Sequence, residues 1–381
     1  MPGISILYPS SSLLLPSYEL YPLVASAREL NFEFHTSQQS LQTDRNECLL
    51  IVGWLQGAKV PAEGDYAWFE QLRRKYRVIA YLDCNDGAEI QRPSFLQFFD
   101  YWFMKQMFRD RNVYLRDLPG KRAYTEFYMD RFGVSDESQT PSWSTAVDAS
   151  QIEKIRPAWN ILIGAYPLHV IRTRLAASAL WWRTPSLAAA CVATPALRRL
   201  PQPKLPRCQA RFTDSAYRPT VGFQRRLLLE RVKENRRFLT GAVPKRQYQA
   251  ELQEVQAVLS PFGWGEVCFR DAEAVIAGAV LVKPEMSHVE TWPDLYQKYE
   301  TYVPIEWDGS DVVEQVANVL DAPAERLRIA QAAWERLRAA YHELPRRVRS
   351  LRDTMLSGTA GEQRQVDPVA GRCSGPQNAI R

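Results

Sequence analysis

The strongest constraint on how this chain can fold is its alternation of short, wholly apolar runs with longer amphipathic ones. Ile4–Tyr8, Phe32–His35, Cys48–Trp54 and Val78–Leu82 are brief, rich in Val, Ile, Leu and aromatics, and flanked by breakers such as Pro9 and Asp83. Runs of this kind suit strands covered on both faces. Between the last two, Tyr66–Lys75 has the spacing of an amphipathic helix. Strand, helix and strand at this interval predict βαβ units and a parallel sheet.

A chain of 381 residues exceeds one ordinary domain, for which about 100–200 residues is the norm. Pro201, Pro203 and Pro206 stiffen the run 201–208 and place a linker there. The expected organisation is a first α/β domain over 1–200, the linker 201–208, a second α/β domain over 209–355, and a polar, disordered tail over 356–381. No internal repeat is evident in the sequence. In the second half, Phe223–Glu234, Pro244–Gln256 and Glu266–Ala277 read as helices. Ala257–Ser260, Ala279–Lys283 and Tyr302–Trp307 read as strands. Asp321 is the expected cap of a long helix that sets Leu327, Trp334, Leu337, Tyr341 and Leu344 on one side.

With 46% apolar and 24% charged residues, the chain is neither disordered throughout nor a multi-span membrane protein. Its 48 basic and 43 acidic residues leave a net charge of +5, too mild for a nucleic-acid binder. That balance suits a small anionic ligand or a place beside an anionic membrane. Six cysteines without a CxxC pair and four histidines without ligand spacing argue for reduced thiols and no metal site. The apolar stretch 176–197 is broken by Arg183, Pro185 and Pro195, and the N-terminus has no signal-peptide pattern, so a cytoplasmic protein is expected.

The stretch from Ser260 to Glu290 carries the chemistry. A strand ends in a loop holding Gly263 and Gly265, and a helix follows at once. Glycines let backbone approach a ligand, and a helix start offers free N–H groups to an anion. Glu266, Arg270 and Glu273, spaced i, i+4 and i+7, are expected on one helix face. A second loop, Pro284–Glu290, follows the next strand, and parallel neighbours bring both loops to the same sheet edge. Plainer alternatives exist for each residue: an exposed salt-bridge stripe for Glu266, Arg270 and Glu273, a chemically idle loop residue for His288, and a small buried filler for Cys268. An ion pair between domains would account for Arg211, packing under the loop for Trp264, and core for the aromatic run Phe95–Phe108. Leu180–Arg183 reads either as a membrane-surface segment or as packing against the second domain.

This pattern resembles the donor-binding half of retaining glycosyltransferases of the GT-B architecture, two Rossmann-like domains around a cleft. The likeness is to bacterial enzymes of surface-polysaccharide and lipopolysaccharide assembly, and more loosely to exostosin-type transferases. It rests on Gly263, Gly265, Glu266, Glu273-Ala274, Ala277-Gly278, Ala279–Lys283 and Glu290, over roughly residues 205–345. Phe99–Lys105, Arg109-Asp110 and Lys121-Arg122 are similar to features of the same bacterial group. The resemblance implies that Glu266 is the acidic residue near the transferred sugar and that Glu273 holds the ribose. Glu290 would lie near sugar or ribose, with the Ser287, His288 and Val289 backbone facing the diphosphate. Glu266 and Glu273 have six residues between them, where the family commonly has seven.

No Asp-x-Asp cluster is available to hold a metal, so cationic side chains should offset the leaving diphosphate. Arg211, Arg225, Arg226 and Lys283 are the candidates, giving a metal-independent enzyme without a cofactor. The expected reaction is sugar transfer from a nucleotide-diphosphate donor to a glycan or lipid-linked acceptor, with peripheral contact at the inner membrane face. Two other classes fit the same architecture: a sugar-nucleotide 2-epimerase and a non-catalytic nucleotide-sugar scaffold.

Overall fold

The computed structural model describes residues 3–8, 18–53, 66–136, 144–164, 174–176, 178–179, 184–191, 195, 197–215 and 217–358. The segment Leu180–Arg183 and the tail from 359 onward lie outside these residues.

The apolar runs of the first half form β1 (Ile4–Leu7), β2 (Phe32–His35), β3 (Cys48–Val52), β4 (Val78–Asp83), β5 (Tyr101–Met104) and, after a short β6 (Gln106–Phe108), β7 (Ile155–Pro157). All but β6 join one parallel sheet in the order β2-β1-β3-β4-β5-β7. The strand period of two divides β3 between two cores. Leu50 and Val52 face helices α1 (Tyr21–Ala25), α2 (Ala27–Leu30) and, from later in the chain, Pro185–Cys191. Leu49 and Ile51 face α3 (Ala67–Lys75), through Phe69 and Leu72, and the aromatic run containing Phe95, Phe99 and Trp102. That run is therefore core. It is followed by α4 (Thr125–Phe132), and the helix Pro185–Cys191 is α5.

The second half repeats the plan. Strands β8 (Leu205–Ala210), β9 (Phe238–Thr240), β10 (Val255–Leu259), β11 (Val280–Pro284) and β13 (Val303–Ile305) are parallel in the order β13-β11-β10-β8-β9. Counted along each half, both sheets run 2-1-3-4-5, the first adding a sixth strand. This doubly wound order puts ligand sites at the carboxyl ends of the strands. The shared plan is a repeat of topology that the residues themselves do not display. Helices α6 (Pro219–Val232), α7 (Lys245–Leu252), α8 (Phe269–Ile276) and α9 (Val312–Asp321) cover this sheet. Two parallel α/β sheets meeting along their loop edges constitute the GT-B arrangement expected from the sequence.

The final helix, α10 (Pro323–Ser357), ties the halves together. Its buried side changes neighbours along its length. Ile329 and Ala330 enter the core of the second sheet, while Trp334 and Leu337 enter the core common to both halves. Leu344, Val348, Leu351 and Met355 pack into the outer core of the first sheet. The halves are also joined by β12 (Val289–Thr291), which pairs antiparallel with β6 at Val289↔Phe108, Glu290↔Met107 and Thr291↔Gln106.

Several local expectations change. Asp321 ends α9 instead of capping α10, and its carboxylate binds Arg237 at 2.8 Å. Pro323 starts α10 in the first-turn position where its missing N–H costs nothing. Leu327 is exposed while the other four named apolar residues face the packed side. The helix expected from Glu266 begins only at Phe269, because Cys268 and Asp271 cap each other's backbone N–H groups reciprocally.

Candidate active site

Glycine geometry brings the two halves into contact. Beyond β10 the chain makes a tight turn in which Gly263 N–H donates to Gly265 O at 2.9 Å. A Cβ on Gly265 would lie 1.6 Å from the carbonyl oxygen of Asp86, so only a glycine lets this loop rest on the loop after β4. Tyr124, stacked on Phe262, donates its hydroxyl to Gly263 O at 2.6 Å and closes the junction from the first half. Glu266 follows at once and is turned inward, fully buried. It does not share a helix face with Arg270 and Glu273, since it precedes α8.

Around Glu266 gathers a cluster drawn from both halves. Gln106 of β6 donates Nε2–H to Glu266 Oε2 at 2.7 Å and to the Asp86 carbonyl. His288, from the loop after β11, places Nε2 3.6 Å from Glu266 Oε1. The two loops after β10 and β11 thus converge as the parallel pairing requires. On the other side of the junction lies Glu89, 1% exposed. Its Oε1 accepts from Arg122 at 2.6 Å and from Gln91. Its carboxyl group lies over Gly87, where a Cβ would meet Glu89 Oε2 at 2.1 Å. Burial pushes the Glu89 carboxyl up to about 7; Arg122 opposes that rise and the Glu266 carboxylate adds to it. Six side-chain atoms in this cluster are buried without a hydrogen-bond partner among the described residues: Glu89 Oε2, Arg122 Nε, Gln106 Oε1, Glu266 Oε1 and both ring nitrogens of His288. Buried polar atoms are rarely left so, and several converging at one place mark a site shaped for a polar ligand.

A second group lies on the other side of the Gly263–Gly265 turn. The guanidinium of Arg225, on α6, is 5.2 Å from the Phe212 ring and 4.5 Å from the Tyr217 ring. That of Arg270, in the first turn of α8, is 5.7 Å from the same Phe212 ring. Arg225 donates to Phe262 O at 2.9 Å and Arg270 to Arg211 O at 3.1 Å. Among the described residues neither has a carboxylate ion-pair partner. Burial lowers the Arg225 pKa, Tyr217 pulls it up, and Arg270 lowers it further. Glu273, one turn on, accepts from the Tyr248 hydroxyl at 2.7 Å. Trp264 is part-exposed and packs on Tyr217 at 5.4 Å.

The remaining predicted residues have partners within the protein. Arg211 makes a two-pronged pair with Glu251, at 2.8 Å on each prong, and also donates to the Thr240 carbonyl. Lys283 is wholly buried, 3.2 Å from Asp271. Asp271 further accepts from Ser260, Tyr296 and the Cys268 N–H. Arg226 is exposed and 3.6 Å from Asp214. Ser287 N–H donates to Glu285 and Val289 N–H to Met286 O, while the carbonyls of Ser287, His288 and Val289 all accept from Arg109. Glu290 pairs with Arg111 at 2.7 Å. Beside His288 a cavity of about 440 Å³ opens between the halves, lined by Phe108, Arg109, Val113, Arg116 and Trp307 among others.

Glu89, Gln106 and Tyr248 were not evident from the sequence. The signal that could have found Glu89 is the Asn85-Asp-Gly87 turn at the carboxyl end of a parallel strand, where ligands bind. One grouping among the described residues has metal-ligand proximity: Glu33, His35 and Asp44, whose ligand atoms lie within 4.8 Å of one another. It sits on β2 and the segment before β3, and its atoms bond to Ser40, Asn46 and Tyr76.

Residues 218–353 match the family model described as glycosyl transferase-like. No curated protein matches the sequence. Solved structures similar to the chain include sucrose-phosphate synthase from Thermosynechococcus elongatus, at 10% identity, covering 94% of this chain and 100% of that one with a TM-score of 0.45. Others are HepE of Anabaena in complex with UDP (11% identity, 93% and 100% coverage, TM-score 0.42) and the T4 phage β-glucosyltransferase (10%, 93% and 99%, 0.40). The family match identifies residues 218–353, the greater part of the second half, as glycosyl transferase-like.

Proposed function

We propose that the chain transfers a sugar from a nucleoside-diphosphate donor, held on the second half, to a hydroxyl of a glycan acceptor. The observation that carries this reading is the pair Arg225 and Arg270, two guanidiniums on one aromatic ring with no carboxylate ion-pair partner among the described residues. A diphosphate supplies the missing charge, and in a transfer it is there that negative charge grows. Glu273, one turn along α8, and Tyr248 of α7, which donates to it, suit the ribose hydroxyls. Glu266 and His288 are then at the sugar, and the cavity lined by Arg109 and Trp307 offers room for the acceptor. Arg211 and Lys283, each engaged by a carboxylate, support the fold of this site from beneath.

The cation pair favours a metal-independent reaction, and full turnover in excess chelator is the expected result; activity restored only by a divalent ion would contradict it. The resemblance of the Gly263–Glu290 segment to bacterial surface-glycan enzymes supports retention of anomeric configuration and a lipopolysaccharide or polysaccharide acceptor. A net charge of +5 favours such an acceptor, or a lipid-linked one at a membrane face, over nucleic acid. No helix among the described residues is long and apolar enough to cross a membrane.

The test is calorimetry and thermal stability of the purified chain with UDP, GDP, TDP, CMP and their sugars. One nucleotide should stabilise the folded state by about 2.7 kcal/mol at a hundredfold excess over its Kd. Glu273→Ala should abolish that gain without lowering the stability of the free protein by more than about 1 kcal/mol. Absence of stabilisation by every nucleotide would overturn the reading.

A further inference from the structure

Glu89 belongs to the first half, far from the segment that resembles donor-binding sites, yet it lies in the same buried cluster as Glu266. Its two oxygens are not equivalent. Oε1 is fixed by Arg122 and Gln91, whereas the buried Oε2 has no hydrogen-bond partner among the described residues. Glu266 has the same asymmetry, with Oε2 held by Gln106 and Oε1, 3.6 Å from His288 Nε2, accepting no hydrogen bond among the described residues. Two buried carboxylates, one from each half, are each anchored by one oxygen and have the other without a hydrogen-bond partner among the described residues. Gly87 leaves room for the Glu89 carboxyl group, and Gly265 lets the loop carrying Glu266 come down beside it.

We propose that Glu89 takes the proton of the acceptor hydroxyl during sugar transfer. This rests on the glycosyltransferase reading above. In the step, the acceptor O–H bond breaks and its proton goes to Glu89 Oε2. The acceptor oxygen forms the new bond to the anomeric carbon, and the bond from that carbon to the donor diphosphate breaks. Its electron pair leaves on the diphosphate, between Arg225 and Arg270. Retention and inversion alike leave the acceptor's proton to be removed, so the assignment does not turn on the stereochemistry.

The surroundings fit a base that works near neutrality. Facing Glu89 are Arg122 and Tyr124 from the segment before α4, Glu266 from the loop before α8, and Asp86 from its own loop. Tyr114 and Arg218 complete its charged and titratable neighbours, with His288 beyond Glu266. Burial and Glu266 raise its proton affinity and Arg122 restrains the rise. A base poised near the working pH is the efficient choice, and such groups contribute about 10²–10⁴-fold to rate.

The experiment compares wild type, Glu89→Gln, Glu89→Asp and Arg122→Gln at saturating donor and acceptor across pH 5–9, with nucleoside-diphosphate affinity measured in parallel. Glu89→Gln should lower kcat by about 10²-fold or more, keep the nucleotide Kd, and lose the fall in kcat on the acid side. Glu89→Asp should recover part of the rate. Arg122→Gln, which removes the cation that holds the carboxylate ionised, should move the acid limb to higher pH. If Glu89→Gln fails to fold, as loss of nucleotide binding would show, the shift in Arg122→Gln and the recovery in Glu89→Asp decide. A Glu89→Gln enzyme within fivefold of wild type, or an acid limb that none of the variants moves, would overturn the proposal and leave the glycosyltransferase reading standing. A wild type that binds no nucleotide would remove both.

Discussion

Replacing Gly265 by alanine perturbs the contact on which the site depends. The added methyl would lie 1.6 Å from Asp86 O, 2.2 Å from Asp86 C and 2.9 Å from Gly87 N, all backbone atoms that cannot swing aside. Restoring ordinary contact at 3.4 Å requires the two loops to part by about 1.8 Å. That displacement breaks the Gln106 bond to Glu266, and with it the Tyr124 bond to Gly263 O. Overpacking costs about 1–3 kcal/mol and each of the two buried hydrogen bonds about 1 kcal/mol, so a loss of about 3–5 kcal/mol is expected. Gly265 does not have a positive φ, so the effect is steric and not a matter of backbone preference. Gly263→Ala is the internal control: its Cβ would meet nothing nearer than Cys268 Sγ at 3.4 Å, and it should cost less than about 1 kcal/mol. Urea denaturation gives the stability difference, and hydrogen exchange of the amides in 84–90 and 262–268 reports the junction itself. Equal stability and equal exchange for Gly265→Ala and wild type would refute the reasoning, because the halves would then stand apart here in solution.

Two further outcomes follow from the same geometry. Lys283→Met leaves the wholly buried Asp271 without its cation and should lower stability by about 3–5 kcal/mol in the same denaturation experiment; an unchanged midpoint would mean that the pair is not formed. Tyr124→Phe should cost about 1–2 kcal/mol alone but almost nothing in the Gly265→Ala background, since the alanine has already broken that bond; additive losses in the double mutant would place the two residues in separate contacts.

Most of the strand plan could be read from the residues. Cys48–Val52 and Val78–Asp83 are apolar along their whole length because helices cover both faces of a parallel sheet, and that leaves an unbroken run in the sequence. The convergence of the loops after β10 and β11 also follows from pairing alone, and the Glu266–His288 approach of 3.6 Å bears it out. Helical periodicity misled at Glu266: the i, i+4, i+7 spacing is real, but the reciprocal cap between Cys268 and Asp271 starts the helix later and leaves Glu266 in the buried turn.

Glu89 is the instructive omission. A single glutamate in a short loop has no periodic partner, and its neighbours Arg122 and Glu266 lie 33 and 177 residues away in sequence. Nothing local in the chain records such a meeting. The partners of Arg211 and Lys283 were hidden in the same way, since Glu251 and Asp271 reach them only through the sheet packing. Long-range pairing likewise explains α10, whose sequence announces a helix but not that it returns to the first half, where Cys48 donates to Met355 O.

The most direct measurement is turnover of whichever nucleotide sugar the chain binds, followed as release of nucleoside diphosphate with and without a glycan acceptor, for wild type and Glu266→Gln. If the chain transfers sugar as proposed, it should release diphosphate faster when acceptor is present, and Glu266→Gln should be slower by about 10²-fold with nucleotide binding intact. A bound donor that is never cleaved, or is converted to an isomeric sugar nucleotide without release, would contradict sugar transfer as the function of this site.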